Sequence, residues 1–280
     1  VWHCKSCSSI LTAPVEALPV DPLEQSYPGA CPCGSSDIAP ETDVMDTWNI
    51  SSLTPQINQA MVQEKSGAQL MIPFSLRPQA HDIIRTWAFD TIVKSTYSAD
   101  SIPWKEIVIS GHVTQGSGKI SKSAGDAATT PQGLLAAYPA DAIRYWAGKA
   151  HPGVDTAFSE EQIKSGVRLQ TKLWNAFRFI KQQEPIKPTA PRALDAVNEW
   201  IVGKLEEATI AQGEAFEEAE YAKALEAADN FFWKEFCDNY LELIKDRFFN
   251  KERYSEAVIN ATKETLYVAG LRILRLYAPF

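Results

Sequence analysis

Three kinds of segment are missing from this 280-residue sequence, and each absence argues against a class of protein. No apolar run approaches the roughly 20 residues that a membrane-spanning helix needs, and no charged-then-apolar leader stands at the start. The short motifs of serine hydrolases, P-loop nucleotide hydrolases and zinc peptidases are missing too. With 45% hydrophobic and 22% charged residues, the composition predicts a soluble globular protein of two domains.

Positive charge is also in short supply. The chain has 27 Lys and Arg residues against 35 Asp and Glu residues, which gives a formal net charge of −8. We do not expect such a protein to coat nucleic acid through its overall charge, because non-specific binding to phosphates needs an excess of lysine and arginine. A local basic face that contacts RNA is still compatible with this balance.

Cysteine is scarce, but four of the five cysteines form two close pairs, Cys4-x-x-Cys7 and Cys31-x-Cys33. Four thiolates on two turns can close a tetrahedral zinc site that leaves no open position for a substrate. Close pairs in a chain of this size favour metal ligation in the reducing cytoplasm over a disulfide framework. We therefore predict a structural zinc ion on these four residues. The second pair is one residue short of C-x-x-C, so a site without metal, a site completed by His3 and a disulfide remain alternatives.

Residues 41–155 show the order of an α/β protein. Trp104–Val113 is predicted to be a buried strand, and a helix with one buried face is predicted from apolar residues at positions 83, 84, 87, 88 and 92. His81 and Asp82 would begin that helix, where backbone amides favour polar or anionic ligand groups, although simple capping also explains Asp82. The order strand, loop and helix that continues through 140–146 is that of half a doubly wound fold.

The loop at 118–126 is the strongest candidate for a ligand site. Lys119 and Lys122 stand three apart, Ser121 and Ser123 are interleaved, and a glycine lies near each end. Glycines let the backbone approach a ligand closely, and lysine ammonium groups act as mobile point charges for phosphate. The alternative is a solvated surface loop.

From about residue 156 the pattern becomes helical. Ser159, followed by an acidic first turn, is predicted to cap the first of four amphipathic helices. A proline-containing linker at 183–192 precedes the other three, and the aromatic stripe at 231–240 is expected to lie in a core rather than to stack on bases. Four such helices with short connections predict an antiparallel bundle.

Several segments, in this order, resemble signature sequences of the valine branch of the class I aminoacyl-tRNA synthetases. They are the D-T-W segment within 43–55, the R-P-Q-A-H-D-I-I-R-T-W segment at 77–87, the K-I-S-K-S loop at 119–123, the A-D-A-I-R-Y-W helix at 140–146 and the T-K-L-W-N-A segment at 171–176. The loop is similar to the family's KMSKS loop, with Ile in place of Met. The resemblance implies a zinc-knuckle-like segment at 1–42, the C-terminal half of a Rossmann-like catalytic domain at 43–155 and a helical anticodon-binding domain at 156–280.

In that family, ATP with Mg²⁺ activates valine to valyl-adenylate, and the valyl group is then transferred to the valine tRNA. The resemblance implies that Lys119 and Lys122 bind ATP and stabilise the charge on its β- and γ-phosphates as pyrophosphate leaves. It also implies that Ser121 and Ser123 shape or cap the mobile loop. Loops of this kind exclude water when they close over a substrate.

The same resemblance assigns four residues before the loop. His81 and Asp82 would face the adenylate, with Asp82 near its ribose. Trp48 and Ile83 would wall the pocket for the valine side chain and exclude larger side chains by size. Without the resemblance, Trp48 is more simply explained as a core residue.

Two parts of the family are not in this sequence, namely its H-I-G-H motif and its editing domain. We therefore expect that this polypeptide alone does not aminoacylate tRNA and that it acts with those missing parts of the same enzyme. Two alternatives stay open. The chain could be a stand-alone zinc- and tRNA-binding module derived from a synthetase, or it could belong to an isoleucine or leucine enzyme.

Overall fold

The computed structural model describes residues 1–115, 118–119, 130–189 and 194–280. These residues form two compact units. The N-terminal unit comprises Val1–Ser75 and Ile83–Lys105, and the C-terminal unit comprises Leu76–Asp82 and Glu106–Phe280. Among the described helices, none combines the length and apolar character needed to cross a membrane. The three-segment division expected from the sequence remains a prediction.

A small antiparallel sheet opens the N-terminal unit. Its strands, in the order β2-β1-β3, are β1 (Trp2–Cys4), β2 (Ile10–Leu11) and β3 (Ile38–Pro40), with a 3-10 turn at Val15–Ala17. The buried core beneath it consists of Trp2, Cys4, Leu11 and Cys31. So small an apolar core stabilises a fold weakly unless a disulfide or a metal ion supplements it.

The rest of the N-terminal unit is mainly helical. The helices are α1 (Thr47–Ser51), α2 (Thr54–Ser66) and α3 (Phe89–Ala99). The chain enters α3 through a 3-10 turn at His81–Ile83 and a π-helical turn at Ile84–Ala88. His81 and Asp82 therefore begin a helical segment, as the sequence predicted.

The buried face of this segment agrees only in part with the predicted one. Trp87 and Ala88 are buried as predicted, whereas Ile84 and Ile92 are exposed. Thr91 and Ser95 are buried in addition. Thr91 and Ser95 continue the spacing of Trp87 and Ala88 along the helix but are polar, so a pattern of apolar residues does not mark them.

Two longer strands, β4 (Phe74–Ala80) and β5 (Trp104–Ser110), pair with each other. The amide of Phe74 donates to the carbonyl of Pro103 at one end (3.0 Å), and Ser110 Oγ donates to the carbonyl of Gln79 at the other (3.4 Å). The strands therefore run in the same direction and, with α3 between them in sequence, form a βαβ connection. The predicted buried strand ends at Ser110, and only its first residue, Trp104, is buried. The charged side chains of Lys105 and Glu106 are exposed and residues 107–110 are half-buried, so this strand is not covered on both faces as a central strand of a parallel sheet is.

A second sheet follows in the C-terminal unit. Its strands, in the order β7-β6-β8, are β6 (Val113–Gln115), β7 (Gly118–Lys119) and β8 (Thr156–Ala157). β6 is antiparallel to β7 and parallel to β8. Between β7 and β8 the chain forms α4 (Pro131–Ala137), capped by the side chain of Thr130, and α5 (Ala140–Gly148), which is the helix predicted at 140–146.

The remaining helices form the predicted bundle, in which the third predicted helix is one continuous segment, 221–249, made of three consecutive helical elements. They are α6 (Glu160–Gln182), α7 (Ala196–Glu217), α8 (Tyr221–Asn230), α9 (Leu241–Phe249) and α10 (Glu256–Tyr277), with a π-helical stretch at Phe231–Tyr240 and a 3-10 turn at Lys251–Arg253. Ser159 accepts a hydrogen bond from the amide of Gln162, which confirms the predicted cap. The fully buried residues of the aromatic stripe, Phe232, Phe236 and Tyr240, confirm its placement in the core.

Side-chain hydrogen bonds fix the directions of these helices. Asn198 near the start of α7 bonds Thr262 and Tyr240, and Gln212 near its end bonds the carbonyls of Leu276 and Ala224. The α8–α9 segment is therefore antiparallel to α7, whereas α10 is parallel to α7. This is the alternating arrangement expected of an antiparallel bundle.

Candidate active site and metal centre

The four predicted zinc ligands come together in the N-terminal unit. One sulfur atom from each of Cys4, Cys7, Cys31 and Cys33 lies within 4.8 Å of all the others. Two of the separations are 3.6 Å, between Cys4 and Cys33, and 3.4 Å, between Cys7 and Cys31. All four cysteines are free thiols, so the structure contradicts the disulfide alternative.

The polar surroundings of the cluster shift its thiols in opposite directions. A hydrogen bond of 3.1 Å between Cys7 Sγ and Ser9 Oγ, together with the Ser9 backbone, lowers the pKa of Cys7 to about 6. The Cys33 backbone lowers the pKa of Cys31, but burial and the neighbouring thiols outweigh it and raise that pKa to about 12. Burial also raises the pKa of Cys4, yet backbone amides from Cys7 and Ser6 lower it overall. Backbone amides that favour thiolates are what a cation site needs.

This cluster fits a tetrahedral zinc ion. Zn–S bonds of about 2.3 Å place the sulfur atoms roughly 3.8 Å apart, close to the observed 3.4 and 3.6 Å. His3 does not complete the site, because its Nε2 lies 2.7 Å from a carboxylate oxygen of Glu41. The C-x-C spacing of the second pair is therefore compatible with four-sulfur ligation.

His81 lies where β4 and β5 end, in the C-terminal unit. Its Nδ1 is 3.3 Å from the carbonyl oxygen of Ser110. Its ring meets the ring of His112 edge-on, with centroids 4.3 Å apart. His81 and Asp82 are both exposed, so they can reach a ligand at the carboxyl ends of the two strands, which is where α/β folds bind ligands.

Lys119 belongs to the same unit. Its backbone pairs with Thr114 in the β6–β7 ladder, so the chain enters the candidate loop from a hydrogen-bonded strand. Ser121, Lys122 and Ser123 lie outside the described residues, and their predicted roles stay predictions. His81 and the beginning of the loop therefore belong to the same unit, His81 in its first segment and the loop in its second.

The two predicted valine-pocket residues, Trp48 and Ile83, both lie in the N-terminal unit and are half-buried. Asp46 caps the short α1 helix that carries Trp48, by accepting a hydrogen bond from the Trp48 amide at 2.9 Å. Neither residue belongs to an apolar core cluster of the described residues, and their role in binding valine stays a prediction.

Two neighbours hold α1 in place. Trp87 Nε1 donates to the carbonyl of Ser51 at 3.0 Å, and the Lys94 ammonium donates to the backbone and side chain of Asn49. Trp87 is 4% exposed and stacks on Trp104 at 5.4 Å. Its role here is packing and support of the candidate pocket, in agreement with the core position expected for it.

Two residues near the site have no signal of their own in the sequence. His112 touches His81, and Asp155 accepts a hydrogen bond from the His112 amide at 2.7 Å. These contacts join residues that are 31 and 43 positions apart, so no local pattern could have revealed them.

The family models match most of the chain. Residues 23–159 match the model described as tRNA synthetases class I (I, L, M and V), and residues 198–280 match the anticodon-binding domain of tRNA ligase. With the α/β site and the helical bundle described above, these matches place the chain in the class I aminoacyl-tRNA synthetases.

Within this class, the whole chain is similar to valine--tRNA ligases. It is 41% identical to the enzyme of Wolbachia pipientis wMel, 40% to that of Anaplasma marginale (strain St. Maries) and 38% to that of Haloarcula marismortui, covering 33%, 34% and 31% of those proteins. The chain thus aligns with a segment of these relatives and spans about a third of their length. This agrees with the valine branch indicated by the signature segments.

A solved structure shows the same fold. The crystal structure of the ternary complex of Agrobacterium radiobacter K84 agnB2 LeuRS-tRNA-LeuAMS superposes with a TM-score of 0.70. The superposition covers 100% of this chain and 38% of the chain in that structure, and the two chains share 18% sequence identity. At this identity the likeness concerns the fold alone, and it confirms that the mixed α/β part and the helical part occur together in one synthetase architecture.

Proposed function

We propose that this chain supplies part of the catalytic domain and the helical tRNA-binding domain of an enzyme that activates valine with ATP and transfers it to tRNA(Val). The observation that carries the proposal is the similarity to valine--tRNA ligases through the whole chain, at 38 to 41% identity in three organisms. Its geometric support is that His81 and the strand leading to Lys119 share one unit, next to the carboxyl ends of two parallel strands.

In this proposal the loop acts on the triphosphate of ATP. Lys119 and Lys122 stabilise the negative charge that develops on the β- and γ-phosphates, together with a Mg²⁺ ion that accompanies ATP. Ser121 and Ser123 shape the loop around the phosphates. His81 and Asp82 contact the nucleoside part of the adenylate, because both are exposed at the end of β4.

Valine binds against Trp48 and Ile83. An indole ring and a β-branched side chain form a stiff apolar wall, which suits a small branched substrate and excludes a larger one by size. The support for this role is that both residues are half-buried and that the α1 helix carrying Trp48 is held by Trp87 and Lys94.

A zinc ion held by the four cysteines of the N-terminal sheet completes the proposal. The ion would cross-link the two turns and so stabilise a module whose apolar core is small. Free thiols persist in a reducing compartment such as the cytoplasm. The helical bundle binds tRNA(Val), since the match of residues 198–280 is to an anticodon-binding domain.

The test uses the full-length protein and valine-dependent exchange of pyrophosphate into ATP. Lys119→Ala and Lys122→Ala are each expected to slow exchange by roughly 10²–10³-fold, as removal of one charge-stabilising donor does, while binding of tRNA(Val) changes little. Lys164→Ala is the control, because Lys164 pairs with Glu160 on the exposed face of α6 at 3.4 Å.

An unchanged exchange rate in both loop variants would refute the role given to the loop. Binding of tRNA(Val) without any valine-dependent exchange in the unaltered full-length protein would favour the alternative of a stand-alone tRNA-binding module.

A further inference from the structure

We propose that Asp155 is a positioning residue for adenylate formation. Its carboxylate fixes the backbone of His112, and this backbone sets the position of the His81 ring and of the strand that pairs with Lys119. This inference rests on the proposed function, since it takes His81 and Lys119 to act on ATP. Asp155 lies in the turn between α5 and β8 and is not part of any signature segment identified in the sequence.

The backbone of His112 is held from both sides by consecutive residues. Its amide donates to Asp155 Oδ1 at 2.7 Å, and its carbonyl oxygen accepts from the amide of Thr156 at 2.8 Å. The parallel β6–β8 ladder begins at the next residue, with Val113 opposite Thr156. The Asp155 carboxylate thus supplies a partner to the last amide before the ladder, a group that would otherwise depend on water.

A close approach of the two backbones makes this contact specific. The amide of Gly153 donates to the carbonyl of Ile109 at 2.7 Å. A Cβ atom at position 111 would overlap the carbonyl oxygen of Val154, so Gly111 lets segment 153–156 lie directly against segment 109–112. The Asp155 side chain is exposed, but its backbone lies fixed beside segment 109–112, so its carboxylate meets the His112 amide along a defined path.

Two features of the site depend on where His112 lies. Its ring packs on the ring of His81 with centroids 4.3 Å apart, so a shift of His112 would move or release His81. The chain continues from His112 directly into β6, whose Thr114 pairs with Lys119. A change of register by one residue would turn every side chain of a strand to the opposite face, so a displaced His112 would change which residue of β6 pairs with Lys119.

The test compares Asp155 variants in the full-length protein. Asp155→Ala removes the acceptor and is expected to lower kcat of valine-dependent ATP–pyrophosphate exchange about tenfold, the effect of losing one hydrogen bond to a charged group. The KM for valine is expected to stay within about twofold, because the residues proposed to bind valine lie in the other unit. Asp155→Asn retains an acceptor oxygen and is expected to recover most of the lost rate.

Two further variants separate positioning from general damage. Glu161→Ala makes the same change of charge six positions away, at a surface pair with Arg168 in which Glu161 is 72% exposed, and should leave exchange unchanged. Asp155→Glu keeps the charge but displaces the oxygen, so its kcat for exchange should lie between those of Asp155→Ala and the unaltered enzyme. If Asp155→Ala does not fold, a kcat of Asp155→Glu below that of the unaltered enzyme still tests the inference. Titration of active sites in each preparation corrects kcat for unfolded protein.

The outcomes distinguish this inference from the proposed function. If Lys119→Ala abolishes exchange while Asp155→Ala and Asp155→Glu keep the full rate, Asp155 has no positioning role and the proposed function stands. Equal losses in Asp155→Asn and Asp155→Ala would also overturn the inference, because hydrogen-bond acceptance would then not be the cause. If Lys119→Ala itself has no effect, the proposed function fails first.

Discussion

Replacement of Asp195 by alanine should strongly destabilise the helical bundle. The carboxylate accepts hydrogen bonds from both terminal nitrogens of Arg247, at 2.8 and 2.9 Å, and also from the side chain of Asn198 at 2.7 Å. It caps α7 as well, by accepting from the amides of Val197 and Asn198. The side chain of Arg247 is only 8% exposed, so it would lose its charged partner without gaining water.

The magnitude follows from these contacts. Breaking a buried ion pair costs about 3–5 kcal/mol, and loss of a helix cap adds about 1 kcal/mol. The Asp195 side chain is 28% exposed, so water recovers part of the loss, and we expect a decrease of about 3 kcal/mol in the free energy of unfolding. Glu199→Ala is the control, since Glu199 carries the same charge in the same helical turn and is exposed.

Urea unfolding of the chain, followed by far-ultraviolet circular dichroism, measures both variants. The double variant Asp195→Ala with Arg247→Met should recover much of the loss, because it removes the unpaired guanidinium. A loss below about 1 kcal/mol for Asp195→Ala, or equal losses for Asp195→Ala and Glu199→Ala, would show that the Asp195–Arg247 pair does not stabilise the bundle.

The same pair gives a dependence on pH. Burial raises the pKa of Asp195, but the hydrogen bonds and charge of Arg247 outweigh it and hold that pKa below its ordinary value. A carboxyl group with a lowered pKa in the folded state stabilises the fold above its unfolded pKa, near 3.9. The stabilisation by Asp195 should therefore be complete at neutral pH and be lost as the pH falls below about 4 and through the folded pKa.

Two further predictions concern the metal and the packing of helices. Protein purified without chelator should contain about one equivalent of zinc per chain. The variant Cys4→Ser should contain less zinc and have a less stable N-terminal unit. A full complement of zinc in Cys4→Ser would contradict four-sulfur ligation. Gly166→Ala should be destabilising, because the new Cβ would lie 2.9 Å from Ala142 Cα. Gly203→Ala should instead stabilise α7 by roughly 0.5–1 kcal/mol, because no atom lies within 4 Å of its new Cβ. Equal changes in melting temperature for the two glycine variants would contradict the close packing of α6 on α5.

Local patterns in the sequence predicted the features that depend on neighbouring residues. The cap at Ser159, the bundle helices and the burial of Phe236 follow from periodicity and capping chemistry, which act within a few turns of helix. The cysteine cluster was also predictable, because two close pairs need only one chain reversal to meet. His81 and Asp82 were placed correctly at the start of a helical segment.

Features that depend on distant contacts or on irregular backbone were not predictable. No apolar repeat in the sequence marks the π-helical turn at Ile84–Ala88 or the burial of the polar residues Thr91 and Ser95 after it. The stack of Trp87 on Trp104 and the hydrogen bond between His112 and Asp155 join separate segments. Their partners depend on the tertiary fold and not on local propensity.

We propose that this chain belongs to an enzyme that activates valine. The most direct measurement is ATP–pyrophosphate exchange by the full-length protein with valine, isoleucine or leucine as the only added amino acid. Valine is expected to stimulate exchange well above the other two. Stimulation by isoleucine or leucine in preference to valine would contradict it.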